Sequence, residues 1–369
     1  MRPYLLVAAV IIGATTALVG CSTLQRAVEI QSDLDGLTRS GVVGSIATLD
    51  DGTTTAVMTS GVPNRTNGDS IGKNDRVRIG SVTKTFTASL VLQLVAEGKV
   101  DLDAPIERYL PGLLHSSDMD GSGIDGSAIT VRQLLQHRSG LPEFAGEPGA
   151  DEWIAANENR TLTPSAAVAI ALGKPAQFVP GTSFVYTNTN YIVLGMLVES
   201  VSGRSYADEL RSRILDPLDL EDTYLPPAGE LDIRGDHLTG YQDLDGGLTD
   251  VSRTEPSIPW SAGAMVSTGT DLNAFWRALL DGQVVPAEQL AEMTTPQVGA
   301  TEAEGLGYGM GVGATELPCG VTYTGHSGGI YGYYTLSGAT PDRAFTVTLT
   351  STPKDQPDTV AILSHALCP

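Results

Sequence analysis

A serine and a lysine lie three residues apart at the start of an apolar stretch. The segment reads Gly80-Ser81-Val82-Thr83-Lys84, and apolar residues then recur with helical spacing as far as Glu97, just before Gly98. This pattern predicts a buried helix that begins at Ser81 and ends at the glycine. Ser81 and Lys84 would share one face of that helix, with Cβ atoms roughly 5–6 Å apart.

This pair could supply a nucleophile and its base. A serine hydroxyl attacks a carbonyl group efficiently only when a base takes its proton. Burial disfavours the charged form of a lysine and lowers its pKa, so a buried Lys84 could be that base. The free N–H groups at the helix N-terminus would also favour negative charge near Ser81. Taken alone, Ser-x-x-Lys is a weak pattern, and the alternative is a helix that contains both residues by coincidence.

A tyrosine and an asparagine form a second motif, Tyr186-Thr187-Asn188. It follows a Pro-Gly turn and precedes a helix predicted for residues 190–201, so we expect it on the loop before that helix. A tyrosine hydroxyl near an ammonium group loses its proton more easily and can act as a base. An asparagine offers both a donor and an acceptor to a substrate amide. The alternative is a packed tyrosine and a capping asparagine.

The third motif, His326-Ser327-Gly328-Gly329, follows a predicted strand over residues 321–325. The histidine could polarise the tyrosine hydroxyl and bind substrate. The two glycines would let a substrate backbone approach closely and pair with the strand edge. The alternative is a glycine-rich turn with an incidental histidine.

In this order the three motifs resemble those of the serine β-lactamase and penicillin-binding family, in its class C β-lactamase and D-alanyl-D-alanine carboxypeptidase branch. That family is marked by Ser-x-x-Lys, then Tyr-x-Asn, and then Lys-Thr-Gly or His-x-Gly. The stretches 134–141 and 261–268 also resemble the family. The resemblance extends from about residue 34 to the C-terminus, and it makes the catalytic interpretation of Ser81 much stronger than the first motif alone.

The resemblance implies a role for each proton-handling residue. Ser81 would be the acylated nucleophile and Lys84 its proton-handling partner. Tyr186 would pass the proton to the leaving group and activate the water that removes the acyl group. His326 stands where many members have a lysine, and we count it with these three as catalytic.

The resemblance also implies how the substrate is held. Asn188 would hold the substrate amide, and the backbone N–H groups of Ser81 and Gly329 would form the oxyanion hole. The predicted substrate-binding residues are Asn188, Ser327, Gly328 and Gly329. His137 lies in a stretch that looks structural in the family, so we do not count it as catalytic.

An α+β fold with two lobes is expected, both from the resemblance and from strand patterns at the two chain ends around a helical middle. The hydrolase domain would cover residues 34–369. Its sheet lobe, an antiparallel sheet, would comprise residues 34–100 and 312–369, and residues 101–311 would form an inserted helical lobe.

The expected function is that of a serine hydrolase with an acyl-enzyme at Ser81. A D-alanyl-D-alanine carboxypeptidase-like or penicillin-binding cell-wall peptidase ranks first, with a D-Ala-terminated peptide or a β-lactam as ligand. An esterase or amidase of the same family, acting on a small ester or amide, and a class C-like β-lactamase are alternatives. A non-catalytic binding protein that kept the fold ranks last.

Two departures from the family pattern limit the peptidase interpretation. Gly329 stands where a hydroxyl residue is common, and no lysine or arginine occurs between Arg277 and Arg343. A peptidase that acts on a free C-terminal D-Ala needs a cation for the carboxylate. Arg343 is one source, although it lies beyond the next strand. An esterase or amidase with a neutral leaving group would not need a cation.

The N-terminus predicts an exported lipoprotein. Arg2 precedes an apolar run over residues 5–19, and Leu18-Val19-Gly20-Cys21 resembles a bacterial lipobox. This implies a signal peptide over residues 1–20, a lipid on Cys21, and attachment to the outer face of the bacterial cell membrane. An ordinary secretory signal with an incidental cysteine is the alternative. Residues 21–33 are predicted to be a polar tether.

Charge and cysteine content restrict the partners. The net charge of −21 argues against nucleic acid and against charge-driven membrane binding, so the lipid on Cys21 would be the membrane contact. Cys319 and Cys368 remain as an even pair that either bridges or stays unpaired. The histidines show no metal-binding spacing, so we expect no metal and no cofactor. We expect a monomer.

Overall fold

A computed structural model of the protein describes residues 14–66, 68–115, 123–147, 149–244, 246–297, 307–351 and 358–369, with side chains from residue 25. Most of the predicted signal peptide and the side chain of Cys21 therefore lie outside the described residues. Within these ranges, none of the helices combines the length and the apolar character needed to cross a lipid bilayer.

An antiparallel sheet of seven strands, built from both ends of the chain, forms the centre of the fold. The strands in chain order are β1 Gly44–Asp50, β2 Thr55–Gly61, β3 Val77–Arg78, β4 Tyr241–Leu244, β5 Gly247–Asp250, β6 Val266–Ser267, β7 Gly307–Tyr308, β8 Gly313–Glu316, β9 Thr322–Ile330, β10 Tyr333–Ala339 and β11 Ala344–Leu349. The main sheet has the order β2-β1-β11-β10-β9-β8-β7, and two small sheets pair β3 with β6 and β4 with β5. The predicted fold class is confirmed.

Helices pack on both faces of this sheet, and they are the main regular elements in the middle of the chain. They are α1 Ala14–Arg39, α2 Thr83–Ala96, α3 Val131–Leu135, α4 Glu152–Asn157, α5 Pro164–Leu172, α6 Asn188–Ser202, α7 Tyr206–Leu210, α8 Trp260–Gly263, α9 Gly269–Leu280, α10 Ala287–Thr294 and α11 Thr359–Leu367. The predicted apolar helix over residues 81–97 corresponds to α2, which is buried on nearly all sides. Its buried side chains include Phe86, Leu90 and Leu94, and α2 packs in the core against α6 and α8.

Strand β11 shows how the two faces of the sheet are covered. All of its residues are buried, and successive side chains point to opposite faces. Phe345 and Val347 join an apolar cluster with α1 and α11. Thr346, on the other face, donates a hydrogen bond of 2.8 Å to Asn273 of α9. Helix α9 therefore covers one face of the sheet, and α1 and α11 cover the other.

The structure corrects the predicted tether over residues 21–33. This segment is part of helix α1, in which Ile30 and Leu34 are fully buried against α11 and the sheet. Ala27, Ile30, Leu34 and Leu37 recur every three or four residues, which gives α1 one apolar stripe. Because polar residues lie between them, the average composition of the segment is polar, and a prediction based on composition misses the stripe.

The boundary between the lobes also differs from the prediction. Helix α9 lies within the segment 101–311, yet it packs on β1, β10 and β11. Its Phe275 and Trp276 are fully buried, and Trp276 Nε1 donates a hydrogen bond of 2.8 Å to Ser337 of β10. The apolar face of α9 is needed to cover the sheet, so this helix belongs to the sheet lobe.

A disulfide bond between Cys319 and Cys368 links the turn between β8 and β9 to the end of α11. Replacing both cysteines with serine should lower the free energy of unfolding by about 4 kcal/mol, because the bond closes a loop of 49 residues in the unfolded chain. Thermal unfolding of the double variant should match that of reduced wild type. An unchanged melting temperature in the double variant would contradict this prediction.

Candidate active site

Ser81 lies in the 3-10 turn Gly80–Val82, immediately before α2 and not inside its first α-helical turn. Gly80 has a φ of +52°. A Cβ atom on Gly80 would lie 2.9 Å from the carbonyl oxygen of Gly329, so a glycine is needed for β9 to approach this closely. The turn thereby holds Ser81 against the strand that carries the third motif.

Lys84 is fully buried and contacts the serine. Its Nζ lies 2.9 Å from Ser81 Oγ, 2.7 Å from Asn188 Oδ1 and 2.8 Å from the carbonyl oxygen of Ala262. The contact between Ser81 and Lys84 that their spacing predicts is therefore present in the structure. Ala262, near the start of the family-like stretch 261–268, supplies a backbone partner that the sequence analysis did not identify.

These contacts determine how Lys84 can use its protons. The carbonyl oxygens of Asn188 and Ala262 can only accept hydrogen bonds, so they take two N–H groups of Lys84. The third position on Nζ faces Ser81 Oγ. In a neutral amine this position is a lone pair, which is oriented to take the serine hydroxyl proton. The arrangement fits the predicted roles of Ser81 as nucleophile and Lys84 as its general base.

Asn188 is positioned by Glu143, which the sequence analysis did not identify. Asn188 is the first residue of α6, directly after the N-cap Thr187, whereas we expected it on the preceding loop. Its backbone N–H and its Nδ2 both donate to Glu143 Oε2, at 2.7 and 3.1 Å. Since the carboxylate holds Nδ2, Oδ1 points towards Lys84. The signal for Glu143 was its place just after the family-like stretch 134–141.

Replacing Glu143 with alanine should slow acylation by about 10- to 100-fold, because a hydrogen bond to a charged group contributes about 1.5–3 kcal/mol. Without it, Asn188 can rotate and release Lys84. Glu143→Gln keeps one acceptor oxygen, so its acylation rate should fall less than that of Glu143→Ala. The rate of labelling by a fluorescent penicillin measures both effects, with the exposed Glu158→Ala as a matched control. Wild-type labelling by Glu143→Ala would show that Asn188 is held without this carboxylate.

Tyr186 packs between Lys84 and His137. The Lys84 Nζ lies 4.9 Å from the centroid of the Tyr186 ring, within the range of a cation–π contact. The His137 ring stacks on Tyr186, with 4.2 Å between centroids. The His326 ring centroid is 6.2 Å from that of Tyr186. The structure therefore brings the second and third motifs to the Ser81–Lys84 pair.

His137 is a structural support for the second motif. The backbone N–H of Thr187 and Nδ2 of Asn190 lie 3.2 and 3.1 Å from its Nδ1, so the His137 proton is on Nε2. That Nε2–H faces the hydroxyl of Tyr308 at 3.2 Å. Burial, and then the charge of Lys84, keeps the pKa of His137 well below its usual value. His137 is thus a neutral ring on which Tyr186 rests.

His326 is also a neutral, buried ring. Its Nδ1 donates to the carbonyl oxygen of Ser327, and its Nε2 lies 3.4 Å from the Tyr308 hydroxyl. Burial, and then the charge of Lys84, lowers the pKa of His326 to about 3. At neutral pH His326 therefore carries no charge and cannot replace the cation of a lysine.

The third motif lies inside β9, whereas we expected it after the end of a strand. A Cβ atom on Gly328 would lie 2.0 Å from the carbonyl oxygen of Ile79, but one on Gly329 would meet no atom within 4 Å. Gly328 thus permits close packing against the Ser81 turn, and Gly329 faces open space. The N–H groups of Ser81 and Gly329 remain our prediction for the oxyanion hole.

A small cavity of about 120 Å³ lies in front of these groups. Its lining residues come from α4, α6, α8, β9 and the connections near them: Ser81, Phe144, Ala145, Glu152, Tyr186, Asn188, Ile258, Pro259, Ala262, Gly263, Gly329 and Ile330. The nucleophile, the tyrosine, the asparagine and the glycine of the three motifs therefore open into one space.

Glu152 supplies the charge in this cavity, and the sequence analysis did not identify it. Apart from Tyr186, Glu152 is the one ionisable residue among the described residues that line the space. Burial, with a further contribution from the charge of Asp151, raises the pKa of Glu152 to about 7. A carboxyl group in the first turn of α4 has no sequence signal for this role, because α4 reaches the cavity only through tertiary packing.

The chain matches a family model described as Beta-lactamase over residues 30–366. It belongs to the β-lactamase family. Penicillin-binding protein 4 of Amycolatopsis lactamdurans is 30% identical to it over 292 residues, which cover 75% of this chain and 72% of that protein. Penicillin-binding protein 4* of Bacillus subtilis (strain 168) is 26% identical over 71% of this chain, which spans 57% of the Bacillus protein.

Solved structures of amide hydrolases share this β-lactamase-family fold. A D-stereospecific amidohydrolase from Streptomyces sp. is 35% identical, with a TM-score of 0.83, and the match covers 93% of this chain and 98% of that one. The D-amino acid amidase from Ochrobactrum anthropi SV3, complexed with L-phenylalanine amide, is 28% identical, with a TM-score of 0.78 and coverage of 92% and 98%. The predicted family and the predicted serine hydrolase are confirmed.

The β-lactamase-family fold gathers the predicted motif residues at one site. The disulfide-bonded cysteines lie outside that site. Ser81, Tyr186, Asn188 and Gly329 line one cavity. Lys84 contacts Ser81 and Asn188 from behind its wall. The predicted residues His326, Ser327 and Gly328 are not among the described lining residues. The catalytic roles assigned to them remain predictions, and the role of His326 is refined by its neutral state. Glu143 and Glu152 are the two acidic side chains that the structure adds to this group.

Proposed function

We propose that this protein is a serine amidohydrolase that cleaves amides and short peptide amides of D-amino acids through an acyl-enzyme at Ser81. The leaving group would carry no free carboxylate. The observation that carries this proposal is the charge of the cavity. Among the described residues that line it, Glu152 carries the ionisable carboxyl group, and none is a lysine or an arginine.

A free C-terminal carboxylate needs a cation, and the basic side chains near the site are committed elsewhere. Lys84 contacts three oxygen atoms behind the cavity wall. Arg78 is buried and donates to two backbone carbonyl groups. Arg343, the candidate from the sequence, donates to the carbonyl oxygen of Leu367. A neutral amide nitrogen, by contrast, leaves as an amine or as ammonia and needs a proton, not a cation.

The reaction follows from the geometry of the site. Lys84, in the fraction of molecules where its amine is neutral, takes the proton of Ser81, and Oγ attacks the amide carbon of the substrate. The N–H groups of Ser81 and Gly329 stabilise the negative charge on the carbonyl oxygen. The C–N bond breaks as the proton passes by way of Tyr186 to the leaving nitrogen. Tyr186 then takes a proton from a water molecule, and the hydroxide attacks the ester carbon. The bond from that carbon to Ser81 Oγ breaks, the proton passes back to Oγ, and the acid is released.

The similarity to the D-stereospecific amidohydrolase and the D-amino acid amidase supports both the amide bond and the D configuration. The names of the curated relatives favour a second candidate, a penicillin-binding peptidase that removes a C-terminal D-Ala. Both candidates use the same acyl-enzyme, so β-lactams should acylate Ser81 in either case. Because a β-lactam carries a carboxylate on its leaving-group side, this acylation should be slower in an amidohydrolase than in a peptidase that has a cation there. They differ in the charge of the leaving group.

A substrate panel separates the two candidates. Soluble protein that begins after Cys21 would be assayed with D-alaninamide, L-alaninamide, a D-Ala-D-Ala peptide, a chromogenic cephalosporin and a nitrophenyl ester, with Ser81→Ala as background. We expect kcat/KM to be highest for D-alaninamide among the amides and the peptide. Faster release of D-Ala from the D-Ala-D-Ala peptide would establish the peptidase instead.

We also propose that the protein is exported and held at the membrane by a lipid on Cys21. The lipobox-like sequence before Cys21 supports this proposal. Cys21→Ser should move the protein from the membrane fraction to the soluble fraction, because the lipid is the anchor in this proposal. Fractionation before and after the substitution, with the exposed Ser165→Ala as a control, measures the change. Full retention of Cys21→Ser with the membrane would exclude lipid anchoring.

A further inference from the structure

A second and larger space adjoins the catalytic cavity. This cleft has a volume of about 880 Å³ and lies between the β4–β5 hairpin, the turn from β9 to β10, and the loop after α1. We call it the tyrosine cleft, because Tyr241, Tyr331, Tyr333 and Tyr334 contribute to its lining. Its size falls within the range of sites for small ligands, roughly 300–1,000 Å³, whereas the catalytic cavity of about 120 Å³ holds little more than one small residue.

The tyrosine cleft shares part of its lining with the catalytic cavity. Glu152, Gly329 and Ile330 line both spaces. Tyr331 fixes the boundary, since its hydroxyl donates a hydrogen bond of 2.5 Å to Asp151, the N-cap of α4. A substrate whose scissile bond lies at Ser81 would pass Gly329 and Ile330 to enter the cleft.

The direction of β9 shows which end of the substrate would reach the cleft. The proton-handling groups lie at the His326 end of the strand, where Tyr186 packs near the histidine ring. The leaving nitrogen must receive its proton there. The cleft opens at the other end, at Ile330. The part of the substrate that stays on Ser81 after the first step, the acyl group, therefore points towards the cleft.

We propose that the tyrosine cleft binds the residue that precedes the D-amino acid in a short peptide amide, with a preference for an apolar or aromatic side chain. This deepens the proposed function and rests on it. The protein would thus cleave X-D-Ala amides more efficiently than D-alaninamide itself, where X is the residue held in the cleft.

The lining of the cleft sets this preference. Tyr334, Ile330 and Leu248 offer apolar surface, and Leu248 is 37% exposed at the mouth. The ionisable side chains other than tyrosine among the described lining residues are the acidic Glu152 and Asp243. An aromatic side chain can stack on tyrosine rings, whereas an acidic side chain would meet like charge. We expect kcat/KM to be highest when X is phenylalanine, lower when X is lysine, and lowest when X is glutamate.

Kinetics on matched nitroanilides test this inference. The substrates are D-Ala p-nitroanilide and its L-Phe, L-Lys and L-Glu extended forms. In wild type, kcat/KM should be about tenfold higher for the L-Phe form than for D-Ala p-nitroanilide, because remote binding energy lowers the barrier. Leu248→Asp should bring this ratio close to one, and Leu248→Lys should raise kcat/KM for the L-Glu form relative to the L-Phe form. Val360→Asp, an exposed valine of α11 outside the cleft, should leave the ratios as in wild type.

A binding measurement keeps this proposal separate from the proposed function. Calorimetry with the Ser81→Ala variant compares D-alaninamide with L-Phe-D-alaninamide, and then repeats the comparison in Ser81→Ala/Leu248→Asp. Tighter binding of the extended amide that is lost in the double variant supports the cleft even if neither amide is cleaved. Cleavage of D-alaninamide without any gain from extension, in rate or in binding, would overturn the cleft and leave the proposed function intact.

Discussion

Replacing Ser81 with alanine should abolish covalent acylation and reduce amide hydrolysis by on the order of 10⁶-fold, as expected when the nucleophile of a serine hydrolase is lost. The Oγ atom of Ser81 is the group that Lys84 can deprotonate, since their separation is 2.9 Å. Mass spectrometry of intact protein after incubation with a β-lactam measures the adduct directly. Hydrolysis of D-alaninamide measures the loss of turnover.

The fold should survive this substitution. The Ser81 side chain caps no helix, because the 3-10 turn Gly80–Val82 has no side-chain cap. Its loss removes one hydrogen bond with Lys84, which contributes about 0.5–1.5 kcal/mol. Ser165→Ala, at an exposed serine of α5, is a matched control that should acylate like wild type. An adduct that forms on Ser81→Ala at the wild-type rate would refute the assignment of the nucleophile.

Replacing Lys84 should slow acylation by roughly 10²-fold or more, the usual effect of losing a general base. Lys84→Ala removes both the proton acceptor and the amine that lies over the Tyr186 ring. Lys84→Arg keeps a positive charge but cannot act as a base at ordinary pH, because the pKa of arginine exceeds 12. Labelling rates with a fluorescent penicillin, measured from about pH 6 to about pH 10, would compare the two variants with wild type.

The comparison separates the two roles of Lys84. If Lys84 is the base, both variants should be equally slow, and the rise of the wild-type rate with pH should disappear in both. If its charge is what matters, Lys84→Arg should keep more activity than Lys84→Ala. The site around Lys84 is fully buried, so circular dichroism must show that both variants fold. Lys99→Ala, at an exposed lysine, is the control. Labelling at the wild-type rate by both Lys84→Ala and Lys84→Arg, once they are shown to fold, would exclude this mechanism.

Local patterns in the sequence were sufficient to predict the main elements. The spacing of apolar residues predicted α2, and the strand patterns at both chain ends predicted the antiparallel sheet. Spacing within one helix also predicted the contact of Ser81 with Lys84, because three residues along a helix return to the same face. The prediction of a tether over residues 21–33 was wrong because the apolar stripe of α1 is sparse. The stripe forms one surface only once the helix packs on the sheet.

The sequence by itself thus determined the candidate nucleophile, its candidate base and the order of the motifs, whereas tertiary structure decided the electrostatics of the site. Glu143 holds Asn188 across 45 positions of the chain, and the hydroxyl of Tyr308 meets His137 across 171. The neutral state of His326 and the raised pKa of Glu152 both follow from burial. Burial and hydrogen-bond partners depend on which distant segments pack together, and no local spacing of residues encodes that choice.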